Sequence, residues 1–212
     1  AADVQGQRLN FGVSGMLWQR SLVMYDQETD SLWSHILGTA QSGPLKGTRL
    51  QQIPSVMTDW KNWRQQHPQT TVVEMVRTSR DYITRFHTDL REHFVHGISD
   101  GVAAKSWSFD KLFNDLIVHD TWEGKPVVVL FDRPSMTPRV FSRQLGKREL
   151  QFEVQKTERG NVFRDIETGS MWHPIFGIAT EGLLSGQQLE PLSSINSFER
   201  AWKDFYPASQ NN

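Results

Sequence analysis

The residues of this chain whose types and spacing point to chemistry are its histidines and an acidic motif used twice. The motif Asp26-Gln-Glu-Thr-Asp-Ser-Leu-Trp33 returns as Asp165-Ile-Glu-Thr-Gly-Ser-Met-Trp172. One reading makes Asp26 and Asp165 a pair of carboxylates facing one another across an interface between two repeats. The other makes each motif a turn, in which Asp and Thr side chains bond nearby backbone amides and Trp33 or Trp172 is buried. Use of the motif in both places favours the turn, because a site usually survives in one copy of a degenerate repeat. His35 follows Trp33 and His173 follows Trp172, but in register His35 aligns with Pro174, so no symmetric histidine pair is implied. Either histidine, with Asp26 or Asp165 nearby, has the chemistry of a general base; a satisfied turn histidine is the simpler reading. His119-Asp120 is expected at a strand end before a turn, where an exposed pair reaches a cleft.

His87, His93 and His96 invite a metal. On a helix His93 and His96 share a face, while His87 stands about 120° from His93. Three ligands on one face need another spacing, so this stretch reads as a solvated connection and no metal site is assigned. The chain has no cysteine, which removes disulfides, thiolate ligands and cysteine nucleophiles. No phosphate loop, dinucleotide fingerprint, nucleophile elbow, zinc-protease helix or calcium loop is present. Trp18, Trp107 and Trp122 suit either a ligand groove or packing.

The elements that must position these residues come from an internal repeat. At a constant offset of 139, residues 26–68 match residues 165–207 without a gap, with 15 identities in 43 columns. Leu9, Phe11 and Val13, and again Leu150, Phe152 and Val154, alternate as a strand with one buried face does. Hairpins are expected around Gly6 and Gly146. A short helix is expected at 58–63, and another from a capping Ser197 to Phe205; each stops at a proline, Pro68 or Pro207. Gly12 and Gly15 read as a strand-end turn. Between the copies, residues 71–76 read as a strand and 80–96 as an irregular or helical surface connection. Then come a strand at 102–107, a helix at 110–116, a strand at 117–121 and a buried strand at 127–131.

Composition sets outer limits. The 212 residues suffice for one large or two small domains. Lys and Arg total 23 against 24 Asp and Glu, which argues against nucleic acid as a partner. The longest strongly apolar run, residues 127–131, is too short to span a membrane. The expected fold is α+β, mainly β: two homologous antiparallel-sheet units, each with a C-terminal helix, in a pseudo-two-fold arrangement. The first unit covers residues 1–76, the connection 77–100 and the second unit 101–212.

The string Phe11-Gly-Val-Ser-Gly15, followed by Leu22-Val-Met-Tyr-Asp26, Ser31-Leu-Trp-Ser34, Gly43-Pro-Leu-Lys-Gly47 and Trp60, Trp63, His67-Pro68, resembles the bacterial family called domain of unknown function 3179. The resemblance is close over residues 4–73 and looser over 101–207. Members are mostly predicted to be exported, so the resemblance implies a periplasmic or secreted, extracytoplasmic protein. It also implies a preceding segment with His-Glu, Asn-Asp and Cys-Pro-x-Cys elements, which would lie upstream of residue 1. The second unit holds a degenerate copy: His119-Asp120 stands at the Asn-Asp place, Asp115-Leu116 where His-Glu would be, and Leu130-Phe-Asp-Arg-Pro134 replaces the cysteines. The first unit is expected to lack its opening strands and to expose a sheet edge. A preceding segment, a protein partner or self-association would fill that edge.

The leading functional expectation is an exported accessory or binding module without its own catalytic chemistry. The alternative is a metal-binding protein or metal-dependent enzyme whose site is completed by residues absent from this chain, with Asp26, Trp33 and His35 contributing. No cofactor is assigned, and Asp26, Trp33, His35, His119, Asp120, Asp165, Trp172 and His173 are the candidate binding residues.

Overall fold

The computed structural model describes residues 2–73, 93–157 and 160–211. The fold is mainly β, and every strand pair but one is antiparallel. The hairpin β1 (Ala2–Val4) and β2 (Gln7–Leu9) leads into a meander of β3 (Phe11–Trp18), β4 (Ser21–Asp26), β5 (Leu32–Ser34) and β6 (Thr39–Ser42), neighbours in that order. Residues 51–59 cross without helix or strand to α1 (Trp60–Gln66), whose cap Asp59 accepts from the Asn62 amide at 2.7 Å.

The later chain is larger. β7 (Phe94–Ser99) and β8 (Ala104–Ser108) form a hairpin, and α2 (Phe109–Asp115) leads to the sheet of β9 (Ile117–Trp122), β10 (Lys125–Asp132) and β11 (Thr137–Ser142). A second small hairpin, β12 (Gln144–Leu145) and β13 (Arg148–Glu149), opens a second meander: β14 (Phe152–Thr157), β15 (Gly160–Asp165), β16 (Met171–His173) and β17 (Ile178–Glu181). β18 (Ile195–Phe198) joins β7, α3 (Glu199–Phe205) follows, and β19 (Gln210–Asn211) pairs parallel to β8.

The two meanders are built alike. Phe11 pairs with Asp26 as Phe152 pairs with Asp165, and Trp33 pairs with Ala40 as Trp172 pairs with Ala179. Gly43 and Gly182 explain one recurring glycine. Both have positive φ, +89° and +95°, and a Cβ on either would come within 2.7 Å of the backbone of Ser31 or Ser170. Only glycine fits such an approach. The main core lies in the later chain, where Val127 to Phe131 of β10 are buried on both faces between β9 and β11. A smaller cluster of Val4, Leu9, Trp33 and Ala40 serves the first meander.

Several local expectations change. Residues 94–96, expected in an irregular or helical connection, begin β7, the strand between β18 and β8. Ser197 does not cap α3. It belongs to β18, its hydroxyl bonds the Phe198 carbonyl, and Phe198 stands at the cap without a side-chain bond. Gly12 and Gly15 lie inside β3, with an irregular register between Val13 and Leu17. Residues 71–73 form no strand; 74–76, the stretch 80–92 and His87 lie outside the described residues.

Candidate functional site

Each repeated acidic motif closes on itself. The Asp26 carboxylate is fully buried and accepts from Trp33 Nε1 at 2.8 Å, the Thr29 amide at 2.6 Å and Thr29 Oγ1 at 2.8 Å. Burial pushes its pKa up, but the bonds from Trp33 and Thr29 outweigh that and hold it below 3.8. Asp165 accepts likewise from Trp172 Nε1 at 2.9 Å, the Thr168 amide at 2.6 Å and Thr168 Oγ1 at 3.0 Å. Both tryptophans are buried beside their carboxylates. The motif thus locks a tight turn to the indole that fills the meander beneath it.

The His119-Asp120 pair is divided by the alternation of β9. His119 Nε2 accepts from the Phe152 amide at 2.9 Å, tying β9 to the outer side of β14. Burial, then the charge of Arg143, holds its pKa below 6.5. Asp120 accepts from buried Lys105 Nζ at 2.7 Å and from Trp107 Nε1 at 2.9 Å. His173 Nδ1 accepts from the Ile175 amide at 3.3 Å, its ring centre 4.9 Å from that of Phe176. Burial lowers the His173 pKa, partly offset by Asp132.

Two clefts bring distant side chains together. One, of about 660 Å³, is lined by Lys105, Trp122, Glu123, Tyr206, Ser209 and Gln210 among others. Glu123 is held above 4.5 by its hydrogen bond with Asp100. The second, of about 340 Å³, is walled by His35, Met57, His96, Pro138, Ser194 and Asn196 among others. It adjoins an aromatic chamber of about 390 Å³ through the shared Met57 and Asn196, with Phe94, Phe109, Met136 and Phe198 in the chamber wall.

The 340 Å³ cleft holds the most unusual chemistry. His96 is buried in β7, and its Nδ1 lies 2.7 Å from Asn196 Oδ1. A carboxamide oxygen accepts, so this contact assigns the proton to Nδ1 and leaves a lone pair on Nε2. Nε2 is buried with no hydrogen-bond partner among the described residues. Burial drives the His96 pKa down to about 4, the Asn196 bond opposes this, and the Arg139 charge adds to it. The ring is therefore neutral at neutral pH. His35, the one sequence-selected candidate here, is lowered by burial as well.

His96, Arg139 and Asn196 were not among the sequence candidates. His96 sat in a stretch read as a connection, and only the alternation of Phe94, His96 and Ile98 against Val95 and Gly97 marks a strand there. Among the described residues no three His, Cys, Asp or Glu side chains gather as metal ligands. Asp26 and Trp33 are bonded to each other and lie apart from the cleft wall that holds His35. No described helix is long and apolar enough to cross a membrane.

No curated protein and no solved structure matches this chain. A family model described as "Protein of unknown function (DUF3179)" matches it twice, over residues 1–89 and again over residues 85–209. These two matches cover nearly the whole chain, and the protein belongs to the DUF3179 family.

Proposed function

We propose that this protein is an exported accessory or binding module without catalytic chemistry of its own, working through the free edge of β3. Two homologous units, residues 1–76 and 101–212 with 77–100 between them, face each other about a pseudo-two-fold axis. Extracytoplasmic placement rests on the family resemblance.

A single contrast carries the reading. β14 begins the second meander, and β9 approaches its outer side through the His119–Phe152 bond. β3 holds the corresponding place in the first meander and is the edge of its sheet. Among the described residues no side chain accepts from the Phe11 amide as His119 does from that of Phe152. β3 exposes Val13, Leu17 and Met16, at 68%, 72% and 46%, and carries no charge or proline. Edges of soluble sheets are ordinarily guarded by such residues, and β14 carries Glu153 and Lys156. An apolar edge without charge or proline, broken only by the register irregularity between Val13 and Leu17, is the kind of edge a strand-pairing partner takes up.

The metal alternative loses two of its three contributors, since Asp26 and Trp33 are buried and bonded to each other. The test is the mass of the natively purified protein by light scattering, with co-purifying chains identified, for wild type and Leu17→Lys. A partner chain or second copy on the wild type, lost from the variant, is expected. A wild type that remains a lone monomer in native purification and at high concentration overturns the reading.

A further inference from the structure

Asp59 has one carboxylate oxygen unspent. As the cap of α1 it accepts from the Asn62 amide at 2.7 Å and from Asn62 Nδ2 at 2.9 Å, and both bonds go to Oδ1. Among the described residues no Lys, Arg or His forms an ion pair with Asp59, and no donor reaches its Oδ2. Exposed carboxylates bonded only to water are common, so this alone marks nothing. Its place sets Asp59 apart: among the described residues it is the one charged group in the wall of the aromatic chamber.

The rest of that wall is apolar or already bonded. Phe94, Phe109 and Phe198 contribute rings, with the centres of Phe94 and Phe198 4.5 Å apart, and Met57 and Met136 contribute thioethers. The neutral polar groups are engaged within the fold: Ser135 donates to Asp132, Thr58 accepts from Thr137, and Asn196 bonds His96 and Met57. Met57 and Phe198 are 60% and 43% exposed, so the chamber opens to solvent on their side. Its volume of about 390 Å³ lies in the range of small-ligand pockets, roughly 300–1,000 Å³.

Such a wall selects by exclusion. An anion meets Asp59 with like charge. A polyol finds few free partners and must strip water from its hydroxyls against phenyl rings. A hydrocarbon fills the chamber but leaves the carboxylate unanswered. A cation on an apolar body satisfies both features. Its charge faces Asp59, while phenyl rings, which attract cations as well as burying apolar surface, and pliable thioethers take the body. We infer that the aromatic chamber binds a small organic cation, an ammonium group carried on an aryl or alkyl body, with Asp59 as its counter-ion. The chamber shares no wall residue with β3.

The experiment is titration of the whole protein, labelled with ¹³C at its methionine methyl groups, with phenethylammonium chloride at constant ionic strength. The controls are 2-phenylethanol, with the same body and no charge, and ethylammonium, with the charge and little body. Saturable movement of the Met57 and Met136 methyl resonances by phenethylammonium is expected, with each control binding at least threefold more weakly. Asp59→Asn keeps the cap, since an asparagine oxygen also accepts from a backbone amide. It is expected to weaken phenethylammonium at least threefold and to leave 2-phenylethanol unchanged. Unmoved methionine resonances, either control within threefold of phenethylammonium in the wild type, or a loss under threefold in folded Asp59→Asn each overturns the proposal. The wild-type comparisons stand whether or not the variant folds.

Discussion

Replacing Asp26 by Asn tests the claim that the repeated acidic motif is a structural lock. The substitution keeps shape and removes charge, so its effect comes from hydrogen bonding. Asp26 takes the Trp33 indole on one oxygen, and the Thr29 amide and hydroxyl on the other, all within 2.8 Å. An asparagine has one acceptor oxygen. Whichever way it turns, its NH₂ meets an N–H and leaves a buried donor unsatisfied. An orphaned donor costs about 1–3 kcal/mol, and bonds to a charged group are worth about 1.5–3 kcal/mol. A loss of about 3 kcal/mol follows, which for a chain of this size lowers the melting temperature by about 6–12 °C.

The pH dependence carries a second signature. The folded pKa of Asp26 lies below 3.8, so its contribution is complete above that value and fades as pH falls through the folded pKa. The gap between wild type and Asp26→Asn should therefore be constant from pH 5 to 8 and narrow below about pH 4. Thermal melts followed by circular dichroism measure both, and Asp165→Asn, with matching contacts, should show a loss of the same size. A melt of Asp26→Asn within a degree of wild type, or a gap that persists unchanged at low pH, refutes the lock.

Asp120→Ala should destabilise by about 3–5 kcal/mol in urea titration, because it strands buried Lys105 and the Trp107 indole N–H. Adding Lys105→Met should restore much of the loss, whereas a neutral Asp120→Ala would show that the pair carries no stability. For His96, the folded pKa of about 4 lies below the ordinary 6.5, so the unfolded chain binds the extra proton first. Stability should fall by about 3 kcal/mol between pH 6.5 and 4. Urea titrations at several pH values check this, and His96→Gln should remove most of that slope.

The parts of the fold legible in sequence are those that local rules enforce. The turn at Gly146 and the prolines closing α1 and α3 act over a few residues. The alternation locates β3 from Phe11 and β14 from Phe152, although Leu9 and Leu150 lie outside those strands and Val13 faces solvent instead of a core. The doubled Asp–Trp motif is equally local, since its bonds span seven residues. The cleft is illegible for the opposite reason: His35, Met57, His96, Pro138 and Asn196 come from separate segments. β7 is hidden because two of its four buried positions, one on each face, hold His96 and Gly97, residues with weak strand preference. Gly97 is there because the Trp202 ring occupies the space of a side chain, a fact of packing that no neighbouring residue announces.

The unequal sizes of the two hydrophobic clusters bear on the order of events during biosynthesis. Four buried residues hold the cluster under the first meander, and twenty hold the one spanning residues 98–189. Translation delivers the smaller cluster first. So little apolar burial does not offset the chain entropy of ordering some fifty residues. The first meander is also fastened to the later chain, where Arg139 and Thr137 of β11 hold the backbone of Ser55 and the hydroxyl of Thr58. Through these contacts the first meander shares in the stability of the larger later cluster, so a change that loosens β11 is felt at residues 55–58 as well.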